Sequence, residues 1–93
     1  MKLSPADQVL DINAAGDRST RLSVGQWRIS GNREMWIRVG DSAVAAVAGG
    51  AGSSYLGSGE VGFITVTGSA ADSYVAVIKG EDPDDGKASV SKE

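Results

Sequence analysis

Short apolar stretches separated at close intervals by glycine are the feature that most constrains the fold. The chain has 93 residues, of which 13 are glycine. Glycine at such intervals is typical of all-β domains, in which it supplies the turns between strands. The clearest strand pattern places Met35, Ile37 and Val39 on one face and Trp36 and Arg38 on the other. The sequence therefore predicts an all-β fold, a small antiparallel β-sandwich or barrel of jelly-roll type with about six to eight short strands.

The remaining strands are predicted from the same alternation. Residues 8–13 form a first strand with Leu10 and Ile12 on one face, and residues 14–19 form a turn. In residues 20–30 the apolar phase slips by one position at Gly25, which predicts a bulge or tight turn because a slip would turn the core face outward.

The second half of the chain gives three further strand predictions. Residues 61–67 and 73–79 are apolar on both faces, which favours strands in the middle of a sheet or covered on both sides. Residues 87–91 predict a weak strand at a sheet edge. Residues 43–48 are too alanine-rich to separate a strand from a helical turn. We expect a single β domain over residues 8–93, preceded by an arm at residues 1–7.

Composition excludes several classes of function. The net charge of −3 gives no attraction to phosphate backbones, so we expect no nucleic-acid partner. The chain has no cysteine and no histidine, which removes thiol chemistry, the usual general base and the commonest zinc ligands. We therefore expect no enzyme activity, no cofactor and no metal. No apolar stretch is long enough for a membrane span or a signal peptide, which predicts synthesis in a cytoplasm.

One segment resembles the protein kinases. GSGEVG matches the glycine-rich loop at Gly57, Gly59 and Gly62, and VAVIK ends at Lys79 like the strand that carries the phosphate-binding lysine. The rest of the kinase pattern is missing, because Lys79 is followed by EDPDDG in place of a helix and no catalytic loop follows. The sequence instead predicts a tight glycine turn into a strand.

Residues 81–85 form an acidic turn, EDPDD, whose carboxylates suggest a cation site. The spacing of a calcium-binding loop is absent, and the run is centred on proline. A solvated turn is the favoured interpretation, with a weak cation site as the alternative.

Trp36 is the aromatic residue that least fits a core position. On the predicted strand it shares a face with Glu34 and Arg38, so it is either shielded by another sheet or placed at an interface, where tryptophan and arginine are enriched. Tyr55 stands in a loop of small residues, where its side chain is a further candidate contact. The candidate interface residues are Trp36, Arg38, Tyr55 and Trp27.

The order of the segments MWIRVGD, YLGSGEVGFITV and SYVAVIKG resembles a group of small virion proteins of tailed bacteriophages, over residues 35–79. The resemblance implies a head decoration or cement protein, a small β-fold that binds the capsid shell as an oligomer. It implies a homo-oligomer, with a trimer as the expected state, and contacts with other virion proteins such as the major capsid protein. The expected location is the virion.

Two alternatives remain open. One alternative is a carbohydrate- or surface-binding β-sandwich of the fibre or adhesin type, which would use exposed Trp36, Tyr55 or Trp27 as a stacking platform. Two coplanar rings on one exposed face would favour that function. A neck or tail component of the particle is the other alternative.

Overall fold

The computed structural model describes residues 8–50 and 52–93, which form eight β-strands and one turn of 3-10 helix. The predicted arm at residues 1–7 lies outside the described residues. None of the described residues belongs to a helix that is long and apolar enough to cross a membrane. The strands are β1 (Gln8–Ile12), β2 (Asp17–Arg18), β3 (Gly25–Gly31), β4 (Met35–Gly40), β5 (Ser54–Leu56), β6 (Val61–Val66), β7 (Tyr74–Lys79) and β8 (Gly86–Lys92), and the 3-10 turn spans Ala70–Asp72.

The strands form two antiparallel sheets of four strands each. Sheet A has the order β1-β8-β3-β6 and sheet B has the order β2-β7-β4-β5. The pairs β1–β8, β2–β7, β3–β6 and β4–β5 are those of one long hairpin with its tip between β4 and β5. The hairpin is rolled so that β8 also pairs with β3 and β7 also pairs with β4. This is the jelly-roll arrangement, and the predicted fold class is confirmed.

The core fills the space between the two sheets. Each strand buries alternate side chains, as the period of two requires. On β1, for example, Leu10 and Ile12 are buried while Val9 and Asp11 face solvent. The core consists of Leu10, Ile12, Leu22, Trp27, Ile29, Met35, Ile64, Val66, Val75, Val77, Ala88 and Val90.

The strand β7 is covered on both faces, as the sequence predicted. Val75 and Val77 point into the core between the sheets. Ala76 points the other way and packs against Val44 and Ala46, which belong to the long connection between β4 and β5. Residues 44–47 form neither a strand nor a helical turn; they are an irregular segment that lies over the outer face of sheet B.

Three strand positions differ from the prediction. Residues 61–67 were expected in the middle of a sheet or covered on both sides, but among the described strands β6 is an edge strand that pairs with β3 alone. The last strand was expected at an edge, but β8 lies between β1 and β3. Part of the expected turn at residues 14–19 forms the short strand β2, which pairs with β7. The position of β6 was predicted wrongly because apolar residues on both faces are found on this edge strand as well as on covered strands.

The phase slip at Gly25 marks the point where β3 begins. Gly25 has a φ of 138°, a backbone conformation that residues with side chains rarely adopt. Before it, Leu22 is buried and Val24 is exposed; after it, Trp27 and Ile29 are buried. The slip is therefore absorbed at the glycine, and the inward face of β3 stays apolar.

Replacing Ile12 with alanine tests the direction in which β1 faces. Ile12 is fully buried, so we expect Ile12→Ala to lower the free energy of unfolding by about 2–5 kcal/mol. The matched control is Val9→Ala on the same strand, where the side chain is exposed; we expect a change within about 0.5 kcal/mol. Chemical denaturation measures both, and a larger loss at Val9 would mean that β1 is inverted.

Candidate interaction surface

Trp36 and Tyr55 meet on the outer face of sheet B. The register of β4 and β5 places them directly opposite each other. Their ring centroids are 5.4 Å apart and the ring planes are inclined by 66°, an edge-to-face contact. Cross-strand aromatic pairs of this kind stabilise a sheet by about 0.2–1 kcal/mol. Tyr55 remains 52% exposed, so the pair is available at the surface.

Glu34 connects this aromatic pair to the turn between β7 and β8. The Tyr55 hydroxyl donates a hydrogen bond to the Glu34 carboxylate. The backbone N–H of Asp82 donates to the same carboxylate at 2.7 Å. These two hydrogen bonds, that from Tyr55 first, hold the pKa of Glu34 below its usual value, and the bond to Glu34 raises the pKa of Tyr55.

Arg38 lies on the same face of β4 as Trp36, two residues further along the strand. Its side chain is exposed, and in the register of sheet B it stands beside Ala76, which in turn stands beside Arg18 of β2. We call Glu34, Trp36, Arg38 and Tyr55 the aromatic patch. A shallow depression at its side is lined by Ala48, Gly49, Gly80 and Glu81 in addition to Glu34, Trp36 and Tyr55.

Three of the four candidate interface residues therefore come together, and Trp27 does not join them. Trp27 lies on the inner face of β3, is 5% exposed, and belongs to the core. Its indole N–H donates to the backbone carbonyl of Ser23 at 2.8 Å. Trp27 is thus a core residue, and the prediction that it lies at an interface is wrong. Because Trp27 alternates along β3 with the exposed residues Gln26 and Arg28, its side chain points to the inner face of the sheet.

The structure also exposes two apolar residues that sequence reasoning missed. Val61 and Phe63 lie on the outer face of β6, 47% and 60% exposed. Their neighbours Ile64 and Val66 are buried, so β6 does alternate. The alternation was hidden because both of its faces carry apolar side chains.

The glycine turn is closed by its own hydrogen bonds. The N–H of Gly57 donates to the Glu60 carboxylate at 2.8 Å, and the N–H of Glu60 donates to the Gly57 carbonyl at 3.1 Å. Gly59 has a φ of 78° and donates to the Gly31 carbonyl at 2.9 Å. The turn joins β5 in sheet B to β6 in sheet A, whereas a kinase loop joins two paired strands. Three backbone donors of the loop, the N–H groups of Gly57, Gly59 and Glu60, are thus used within the chain.

Lys79 is held by the turn that follows it. Its ammonium group donates to the Pro83 carbonyl and to the Asp85 carboxylate, each at 3.0 Å. On the other side of the turn, the guanidinium of Arg33 lies 3.9 Å from Asp82 and 3.8 Å from Asp84. The carboxylates of the acidic turn are therefore directed to different cations of the chain. Within the described parts of the chain, no three acidic, histidine or cysteine residues converge as a metal site would require.

In comparisons with known proteins, no family model, no curated protein and no solved structure matches this chain. The aromatic patch is therefore interpreted from its own chemistry: an aromatic pair, an arginine and a hydrogen-bonded carboxylate on one partly exposed face.

Removing the Tyr55 hydroxyl tests the coupling between the aromatic pair and Glu34. We expect Tyr55→Phe to raise the pKa of Glu34 towards its usual value, because the largest cause of the lowered pKa is lost. The pKa is measured by carboxyl-detected NMR titration. The matched control is Tyr74→Phe on the neighbouring strand β7, which should leave the pKa of Glu34 unchanged.

The sign of the pH dependence follows from the same shift. Since folding lowers the pKa of Glu34, its stabilisation is complete above the unfolded pKa and is lost as the pH falls through the folded pKa. Wild-type stability should therefore fall more steeply than that of Tyr55→Phe on acidification. Parallel stability curves would contradict the coupling.

The kinase-like segment is tested with nucleotide and with a lysine variant. We expect ATP at millimolar concentration to cause no chemical-shift change in residues 57–62, because the N–H groups of Gly57, Gly59 and Glu60 are already bonded within the chain. Lys79→Ala should keep the fold, with a loss of at most about 1 kcal/mol from the contact with Asp85. Saturable shifts with ATP that disappear in Lys79→Ala would overturn this interpretation.

Proposed function

We propose that this chain is a non-enzymatic structural protein of a phage particle that binds other virion proteins, including the major capsid protein, and itself. The observation that carries the proposal is the aromatic patch. Trp36 and Tyr55 form an edge-to-face pair beside Arg38, on a face that solvent reaches. Tryptophan, tyrosine and arginine are the residues that contribute most binding energy at protein interfaces.

The surroundings of the aromatic patch support a rigid contact surface. The patch lies on the outer face of sheet B, next to the segment that packs on Ala76. Tyr55 is fixed by Glu34, and Glu34 is fixed by the backbone of Asp82. A surface whose side chains are already ordered loses less conformational entropy on binding, so its contacts give more net affinity.

The jelly roll supports the proposal only by analogy. Viral capsid domains and lectins both use this arrangement of two four-stranded sheets. The role in a particle therefore depends on the resemblance of residues 35–79 to small phage virion proteins, together with the chemistry of the aromatic patch. Decoration of the head is the proposed role, and a neck or tail position is its variant.

The alternative of a sugar-binding module is less well supported. A flat stacking platform needs rings that lie in one plane, and the planes of Trp36 and Tyr55 are inclined by 66°. The third aromatic ring considered for such a platform, Trp27, is in the core.

The proposed location is tested on particles. Phage particles from a lysate of a host that carries the gene are purified by density gradient, and their proteins are quantified by mass spectrometry. We expect this chain as a stoichiometric component, and antibody-gold labelling should place it on the head. Labelling at the neck or tail would favour that variant of the proposal over head decoration. Absence of the protein from purified particles would overturn the proposal.

The contribution of the aromatic patch is tested with a charge reversal. We expect Arg38→Glu to reduce incorporation into particles while the melting temperature stays close to that of the wild type, since Arg38 is exposed. The matched control is Arg21→Glu, at an exposed position in the connection between β2 and β3. Equal incorporation of both variants would show that the aromatic patch does not take part in binding to the particle.

A further inference from the structure

Strand β6 is the longest edge strand of the sandwich and lacks the usual protection against pairing. The other three edge strands are shorter: β1 has five residues, β2 has two and β5 has three, against six in β6. Natural proteins protect long edges with charges, proline or bulges. Strand β6 has the sequence VGFITV, which contains no charge and no proline, and its register with β3 is unbroken.

The hydrogen-bond pattern of sheet A shows which groups of β6 face the open edge. The N–H of Glu93 donates to the Gln26 carbonyl, so Gln26 directs its backbone groups towards β8. In an antiparallel ladder the direction alternates, so Trp27 and Ile29 face β6. Their partners on β6 are Ile64 and Gly62.

It follows that Val61, Phe63 and Thr65 direct their N–H and C=O groups to the open edge. Over the described residues, β6 forms ladder bonds with β3 alone. The exposed side chains of the same three residues lie on the outer face of sheet A. The backbone groups of β6 that form no ladder bond with β3 are thus a regular row of donors and acceptors. The apolar side chain of Phe63 lies at the centre of this row.

We propose that two copies of this chain pair through β6 as antiparallel neighbours about a two-fold axis, which joins their two A sheets into one sheet of eight strands. An antiparallel strand pair is self-complementary, because the same edge serves both copies. The occupant of the β6 edge is therefore a second copy of this chain.

The alternation of β6 fixes the register of this pair. Backbone groups that face the edge must meet groups that face the edge, and outer side chains must meet outer side chains. The register with the greatest overlap that meets both conditions places Phe63 opposite the partner's Phe63 and Val61 opposite the partner's Thr65. All of the edge-facing groups of Val61, Phe63 and Thr65 are then bonded.

The side chains suit this register. The two Phe63 rings lie next to each other on the outer face and cover the most exposed apolar area of β6. Arg28 is the residue opposite Phe63 in the register of β3 and β6, and both side chains are exposed on the outer face of sheet A. On the inner face, Gly62 stands opposite the partner's Ile64, a side chain that is already buried in its own core.

This pairing does not depend on a role in a phage particle, because it follows from the β6 edge alone. It predicts a two-fold dimer where the sequence resemblance implied a trimer. The two proposals therefore fail separately: absence from particles leaves the dimer intact, and a different oligomer leaves the particle role intact.

The first experiment measures mass by light scattering across a dilution series of the full chain. We expect a dimer that dissociates on dilution. Phe63→Lys should raise its dissociation constant by at least about tenfold, because it adds a charge to the unprotected edge. The matched control, Val9→Lys, places the same charge at 59% exposure on the opposite edge of sheet A, compared with 60% for Phe63, and should leave the constant unchanged.

Unchanged melting temperatures for both variants show that the lysines act on association and not on folding. A monomer at all concentrations up to about 1 mM, or a stable trimer, would overturn the proposal. So would a dimer that is weakened equally by Phe63→Lys and Val9→Lys.

The second experiment tests the register with single cysteines, since the natural chain has none. Residues paired in this way have Cα atoms about 5.5 Å apart, which a disulfide can bridge. Oxidised Phe63→Cys should therefore form a covalent dimer. Val61→Cys should not, because its partner position is Thr65, whereas an equimolar mixture of Val61→Cys and Thr65→Cys should cross-link. A covalent dimer from Val61→Cys alone, with none from Phe63→Cys, would disprove this register.

Discussion

The rest of the sandwich depends on β8, which pairs with β1 on one side and with β3 on the other. In the part of the chain that the structure describes, β8 is the one strand with which β1 pairs, so β8 is what holds the first strand in sheet A. The inward residues of β8, Ala88 and Val90, are fully buried at the centre of the core. The last strand of the chain therefore completes both the ladder and the core, which makes the fold rich in contacts between distant parts of the sequence.

The hairpin that is rolled into the jelly roll also decides where the aromatic patch lies. Its tip, the connection between β4 and β5, is long enough to fold back and cover Ala76 on the outer face of sheet B. The short β5 then brings Tyr55 beside Trp36 at the margin of that cover. The aromatic pair is thus a consequence of how the tip folds, and it remains exposed because the tip covers only part of the sheet.

Charged residues in this protein mainly fix turns at one end of the sandwich. Glu60 closes the glycine turn, Lys79 holds the turn after β7, and Glu34 holds the backbone of Asp82. Contacts of this kind are individually weak when exposed, but together they set the course of connections that cross between the sheets. The GSGEVG motif is part of this arrangement, which is why its similarity to a phosphate-binding loop does not extend to its hydrogen bonds.

The sequence by itself determined the fold class and the faces of several strands. Period-two alternation identified β1 and β4, the phase slip located Gly25, and the opposite faces of Met35 and Trp36 follow from alternation alone. The proximity of Trp36 and Arg38 could be predicted in the same way, since they are two residues apart on one strand.

Only the tertiary structure decided which strands are central and which are at an edge. Apolar character on both faces was the same signal for β7, which is covered on both sides, and for β6, whose outer face is open. The distinction depends on strand order, and strand order is set by pairing between residues far apart in sequence. For the same reason the sequence could not pair Tyr55 with Trp36 or reveal the open edge at Phe63.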